Sequence, residues 1–267
     1  MGLPPAARTA GESTVRFFLH RAPRAVACAC AAFAALAGSA IAAEFSLNPT
    51  RVHLDRARAV ETLVLGNADP LPLSFEATVK RWTMAADGSW ELQPSDDLVV
   101  HPLVFTVQPG QQARLRVGTL RPEAGAERAY RVELQQLPRG SADGVAIEVL
   151  TRVSVPVFIQ AASPAPAATV AAAGFSADGL RLTLANTGSQ YLPPQDARLR
   201  LLDASGRILA ESPLTVGYVL AGAQLPLPAQ PVPAAACTQA TRLELELPES
   251  AATLGAPLPA SLRRCGG

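Results

Sequence analysis

The feature that most restricts what this chain can become is the alternation that begins at Val145. Val145, Ile147, Val149, Thr151, Val153, Val155 and Val157 share one parity, while Ala146, Glu148, Leu150, Arg152, Ser154 and Pro156 share the other. Successive side chains of a strand point to opposite faces, so Val145–Gln160 reads as one strand with a β-branched ridge along one side. Such a ridge has two uses: the inner wall of a sandwich, or an edge that lends a missing strand to a partner. Around it lie short strand-like runs, Phe45–Leu54, Glu61–Gly66, Leu73–Trp82, Leu98–Val100, Ala113–Gly118 and Tyr130–Gln135. Asn67–Ala68–Asp69–Pro70, Asp87–Gly88 and Asp143–Gly144 supply turn chemistry between them. Strands of this length and spacing predict an immunoglobulin-like β-sandwich, and the scarcity of helical periodicity argues against a parallel βαβ sheet.

With 267 residues the chain has room for two such domains. Residues 1–43 belong to neither. Arg8, Arg16, Arg21 and Arg24 precede an apolar run from Ala25 to Ala43, and Ala40–Ile41–Ala42 supplies an A-x-A cleavage site. This is the pattern of a secretory signal peptide rather than a membrane anchor, because the run is short and ends in small residues. Its removal moves the formal charge from +1 to −2, which gives no footprint for nucleic acid or for an anionic membrane. The first sandwich is expected over 44–160. An uncharged, Pro-containing linker follows at 161–170, and a second sandwich over 171–267 has Asp178–Gly179 and Ser205–Gly206 as hairpin turns. The Pro/Ala-rich segment Leu225–Ala236 fits no element from sequence alone.

Enzymatic chemistry fails on inventory. Beyond the signal only His53 and His101 remain, with no G-x-S-x-G, no P-loop and no C-x-x-C, so neither an enzyme nor a cofactor is expected. Cys237 and Cys265 are an even pair in an exported chain and are expected to be joined as a structural disulfide.

The stretch LVVHPLVFTVQPGQQARLRVGTLRPEAGAERAYRVELQQLP, residues 98–138, closely resembles the first domain of the periplasmic pilus chaperones, the PapD-like family. The matching elements are Pro102 with Phe105, Val107–Gln108–Pro109–Gly110, Arg114–Leu115–Arg116–Val117, and Tyr130 to Pro138. Trp82, Asp87–Gly88, Asp96–Asp97–Leu98 and the later Tyr218–Val219–Leu220 look more like the archaic branch, the Csu and spore-coat-U type. The resemblance is dense over about residues 44–160 and thin beyond.

It implies two immunoglobulin-like sandwiches at an angle around a cleft, in the periplasm, with no stable membrane insertion. The partners implied are pilin-like subunits with an incomplete fold, stabilised by donor-strand complementation, and an outer-membrane usher that receives them. The lent strand would place Val145, Ile147 and Val149, with Thr151 and Val153, in the subunit's groove. Arg51, in Asn48–Pro49–Thr50–Arg51–Val52, matches the family's anchor for the subunit's C-terminal carboxylate, a role that suits a planar, doubly donating guanidinium. The family's second cation, a lysine two residues before the position of Phe158, is replaced here by Pro156; Arg152 and Lys80 are the candidates to stand in for it. Arg116 and Glu127 match a charged pair that helps fix the interdomain angle in the family. The competing reading is an exported structural or adhesive subunit of a surface fibre. A pilin should carry its own N-terminal donor extension, and here the first strand begins within a few residues of the cleavage site.

Overall fold

The computed structural model describes residues 44–122, 125–139 and 148–260. They form two β-sandwiches, each of two packed sheets. In the first, one sheet has the order β1 (Phe45–Asn48), β3 (Val60–Asn67), β8 (Gln112–Thr119), β6 (Leu98–His101). The facing sheet runs β2 (Val52–Leu54), β10 (Arg152–Ile159), β9 (Arg128–Gln136), β4 (Leu73–Met84), β5 (Trp90–Pro94), with β7 (Val104–Val107) also on β4. The alternation seen in sequence is what closes the core. Leu115 and Val117 of β8 are fully buried while Arg114 and Arg116, which alternate with them, are exposed. Opposite them Val132, Leu134, Val155 and Val157 fill the same cluster. Each such side chain contributes about 1.5–3 kcal/mol by leaving water.

The second sandwich packs β11 (Ala168–Ser176), β12 (Gly179–Asn186) and β15 (Gln224–Gln230) against β14 (Ile208–Val216), β13 (Gln195–Leu202), β16 (Arg242–Leu247) and β17 (Ala252–Pro257). Its core is leucine-rich, with Leu180, Leu184, Leu199, Leu243 and Leu245 buried. The turn before β12 demands glycine: Gly179 has φ +121°, and a Cβ there would lie 2.1 Å from the Gln230 carbonyl oxygen. Leu225–Ala236 resolves into most of β15 and the start of a short helix, α1 (Ala234–Gln239). No helix among the described residues is long and apolar enough to cross a membrane.

Three expectations are altered. The run Phe45–Leu54 is divided: β1 pairs with β3 in one sheet, whereas β2 crosses to the other and pairs in parallel with the end of β10. Pro49 lies at the crossing, where its missing N–H interrupts the first ladder. The long strand Val145–Gln160 is described as strand only from Arg152; residues 148–151 are outside it, and 140–147 are outside the described residues. Finally, β11 begins at Ala168, within the interval expected as linker.

Candidate functional site

β10 ends its sheet on the side away from β9, apart from the three residues of β2. The hydrogen-bond parity can be read from the flanking bonds. Gln136 N–H donates to the Thr151 carbonyl on the β9 side, and Gln160 N–H donates to the Leu54 carbonyl on the β2 side. In an antiparallel ladder the backbone groups of alternate residues turn to opposite edges. Residues 153 and 155 therefore bond β9, while Arg152 and Ser154 turn their N–H and C=O toward an edge that no described strand covers. Pro156 falls on the same outward parity, the place where a missing N–H costs the β9 ladder nothing. Among the described residues this leaves an open strand edge at Arg152 and Ser154, three to five residues before β2 begins to pair at Val157.

Beside that edge the outer face of the sheet meets the second sandwich through aromatic rings. Phe158 stacks on Tyr191 with centroids 4.0 Å apart, and Trp82 meets Tyr218 edge-on at 5.2 Å. Trp82, Ala129, Phe158 and Leu220 are buried together there. Two guanidinium groups enter this cluster. Arg51 lies 5.6 Å from the centroids of both Tyr191 and Tyr218. Arg131, 5% exposed, lies 3.8 Å over Trp82, 4.3 Å over Trp90 and 5.5 Å from Tyr218. Cation–π attraction holds these charges but satisfies no N–H. Arg51 Nη1 donates to the Tyr191 hydroxyl at 3.1 Å, and Arg131 Nη1 reaches the Ser154 carbonyl at 3.5 Å. Arg51 Nε and Arg131 Nε and Nη2 are buried with no hydrogen-bond partner. Burial lowers the pKa of Arg131, with Tyr218 and Glu133 opposing, and a guanidinium remains charged nonetheless.

The same junction holds two titrating groups. Tyr191 Oη accepts from Arg51 and lies 3.1 Å from His53 Nε2, to which its own proton is available when that nitrogen is unprotonated. Burial lowers the His53 pKa, and the charges of Arg51 and Arg58 lower it further. Glu127 ties the sandwiches together twice: its N–H donates to the Ser189 carbonyl at 2.9 Å, and its Oε1 accepts from Tyr191 N–H at 2.9 Å. Burial pushes its carboxyl up to about 7, against the pull of that Tyr191 bond.

Of the residues singled out in sequence, Arg51 comes to the junction. Val145 and Ile147 lie outside the described residues. Val149 is 58% exposed, Thr151 is half-buried beside Gln136, and Val153 packs against the first core. Arg152 is exposed and its Nε donates to Gln135 Oε1 at 2.6 Å, while Lys80 pairs with Glu133 at 3.4 Å; neither enters the aromatic junction. Arg116 and Glu127 form no ion pair among the described residues, a correction with a simple cause. Arg116 is an outward residue of β8 opposite Thr62 and His101, whereas Glu127 precedes β9 and engages the second sandwich. Cys237 is buried in α1, and Cys265 lies outside the described residues. Sequence reading did not single out Arg131, Tyr191 or Trp90. The available signal for Arg131 was a cation between Tyr130 and Val132, in a run otherwise patterned for burial.

Residues 44–164 match the family model described as pili and flagellar-assembly chaperone, PapD N-terminal domain. No curated protein matches the sequence. Among solved structures the chain is similar to a chain of the CsuC–CsuE chaperone–tip adhesion subunit pre-assembly complex from the archaic chaperone-usher Csu pili of Acinetobacter baumannii. The identity is 16% and the TM-score 0.54, covering 81% of this chain and 98% of that one. It is also similar to a chain of the chaperone–tip adhesin complex of CFA/I fimbriae biogenesis, at 11% identity and TM-score 0.55, covering 81% and 99%. The class 5 fimbriae chaperone CfaA is alike at 11% identity and TM-score 0.55, covering 76% and 92%. At these identities the likeness is one of fold, and it spans both sandwiches. The first sandwich, from β1 to beyond β10, thus matches the PapD N-terminal domain of the pili and flagellar-assembly chaperones.

Proposed function

We propose that the protein is a periplasmic assembly chaperone that lends the open edge of β10 to pilin-like subunits and passes them to an outer-membrane usher. The observation that carries this reading is the conjunction at one place of an uncovered strand edge and buried guanidinium donors without acceptors. Strand addition supplies sequence-tolerant backbone bonds, and alternate side chains choose the groove. A buried donor without a partner costs about 1–3 kcal/mol, which an incoming carboxylate would relieve. No nucleotide is needed, since the driving force lies in completing the subunit's own fold.

In this reading the C-terminal carboxylate of the subunit is held between Arg51 and Arg131. Pro156 stands where a lysine is expected, and Arg131 is directly opposite Pro156 in the β9–β10 register. The second cation has moved from the lent strand to its neighbour. Arg152, exposed and bonded to Gln135, is the poorer candidate.

The test is periplasmic co-expression with the neighbouring pilin-like gene and co-purification of the pair. Wild type is expected to give a one-to-one complex. Arg51→Ala and Arg131→Met should each lower its yield by about ten- to a hundredfold, the loss of a charged hydrogen bond. A complex that survives both substitutions would move the anchor elsewhere. No complex between two well-folded partners would favour the exported structural subunit instead.

A further inference from the structure

Beyond Gln136 and Thr151 the next bonding pair of the β9–β10 ladder would be Pro138 with Val149, and Pro138 has no N–H to give to it. Residues 148–151 are consequently described but lie outside the strand, with Val149 and Leu150 58% and 38% exposed. Yet the pairing register does not end there. Arg152 opposes Gln135, and counting outward sets Glu148 opposite Arg139. Those two side chains meet: Arg139 Nε donates to Glu148 Oε1 at 2.7 Å, and Arg139 N–H donates to Glu148 Oε2 at 3.2 Å. Arg139 is itself fixed from behind, its Nη1 3.6 Å from Oδ1 of Asp69. Asp69 is 4% exposed and is held by bonds from its own N–H to Asn67 Oδ1 and from Leu71 N–H to its Oδ1.

We infer that Arg139 is a positioning residue, a register clamp that keeps residues 148–151 in step with β10 while the backbone groups of Glu148 and Leu150 turn to the uncovered edge for a partner. The inference rests on the donor-strand reading and adds the device that aims the strand. A slip of one residue would exchange the faces of Val149 and Leu150, since side chains alternate with period two. Where the backbone ladder has stopped, only side chains can forbid that slip. The buried Asp69 makes the clamp stiff, because Arg139 joins the far end of the lent segment to a fixed point of the first sandwich. An ordinary surface ion pair would lack that third member.

The test uses the full mature chain. Amide hydrogen exchange at residues 148–151 of the free protein measures the clamp, and capture of the neighbouring pilin-like subunit measures its use. Glu148→Ala leaves Arg139 on Asp69 and so spares the fold; Glu148→Gln keeps an acceptor for the Arg139 N–H. Exchange at Thr151 is expected to rise by about fivefold in Glu148→Ala, the factor for roughly 1 kcal/mol, and by less in Glu148→Gln. Capture should weaken in the same order, with exchange in β4 and β9 unchanged. Unchanged exchange in Glu148→Ala overturns the clamp. Raised exchange with undiminished capture overturns its role in aiming the strand. Wild type that captures no subunit overturns the donor-strand reading itself, and the exchange measurement on the free protein still decides whether the clamp exists.

Discussion

At the scale of single residues, the junction is governed by charges that lack their usual partners. Arg51 and Arg131 were not equally legible. Arg51 sits in a short motif at the chain's first strand, whereas Arg131 acquires its meaning only when the fold lays it over Trp82 and Trp90. Glu127 shows the same limit from the other side. The family resemblance pairs it with Arg116, but the carboxyl faces a backbone N–H of the second sandwich. Its raised pKa makes a pH prediction with a definite sign. The folded junction prefers the neutral acid, so the stability Glu127 contributes is complete below about 4.5 and is lost as pH rises through about 7. His53 acts oppositely: its lowered pKa means that protonation below its ordinary value of 6.5 is resisted by the fold. Thermal stability is therefore expected to rise as pH falls from 8 to 6.5, and Glu127→Gln should flatten that slope. A calorimetric titration of the two proteins checks it.

At the scale of elements, β10 divides its labour by parity. Val153, Val155 and Val157 were legible as a ridge because period-two alternation is a local property, and the ridge does pack into the first core. The point at which the strand begins was not legible, because it depends on Pro138, just past the end of β9, which has no N–H for Val149. The parity of the backbone groups yields a sharper prediction than any side chain. Ser154→Pro removes an N–H that faces the uncovered edge and leaves the β9 ladder whole, so folding should change little while subunit capture falls about tenfold or more. Val153→Pro removes an N–H turned toward β9 and should instead cost the fold about 1–3 kcal/mol, the lost ladder bond and its orphaned acceptor. Denaturant unfolding and co-purification of both variants distinguish the two edges; equal effects on stability would contradict the assigned parity.

At the scale of the whole molecule, two sandwiches that the sequence separates by an uncharged linker are joined through contacts on several segments. The connection is strapped down: Ser189 N–H and Thr187 N–H donate to the carbonyls of Ala165 and Ala167, both at 2.9 Å. Gly188 beneath it has no room for a Cβ, which would fall 2.3 Å from the Ala165 carbonyl oxygen. With Glu127, Phe158 and Tyr191 added, the two sandwiches are expected to unfold in a single calorimetric transition, and Tyr191→Ala should split it in two by removing the ring that stacks on Phe158. The placement of Arg131 has one more consequence, an optical one. The chain contains two tryptophans, Trp82 and Trp90, and this one guanidinium lies over both. The intrinsic ultraviolet emission of the protein consequently originates at the site where a subunit's terminus would arrive, making the unlabelled molecule its own gauge of occupancy.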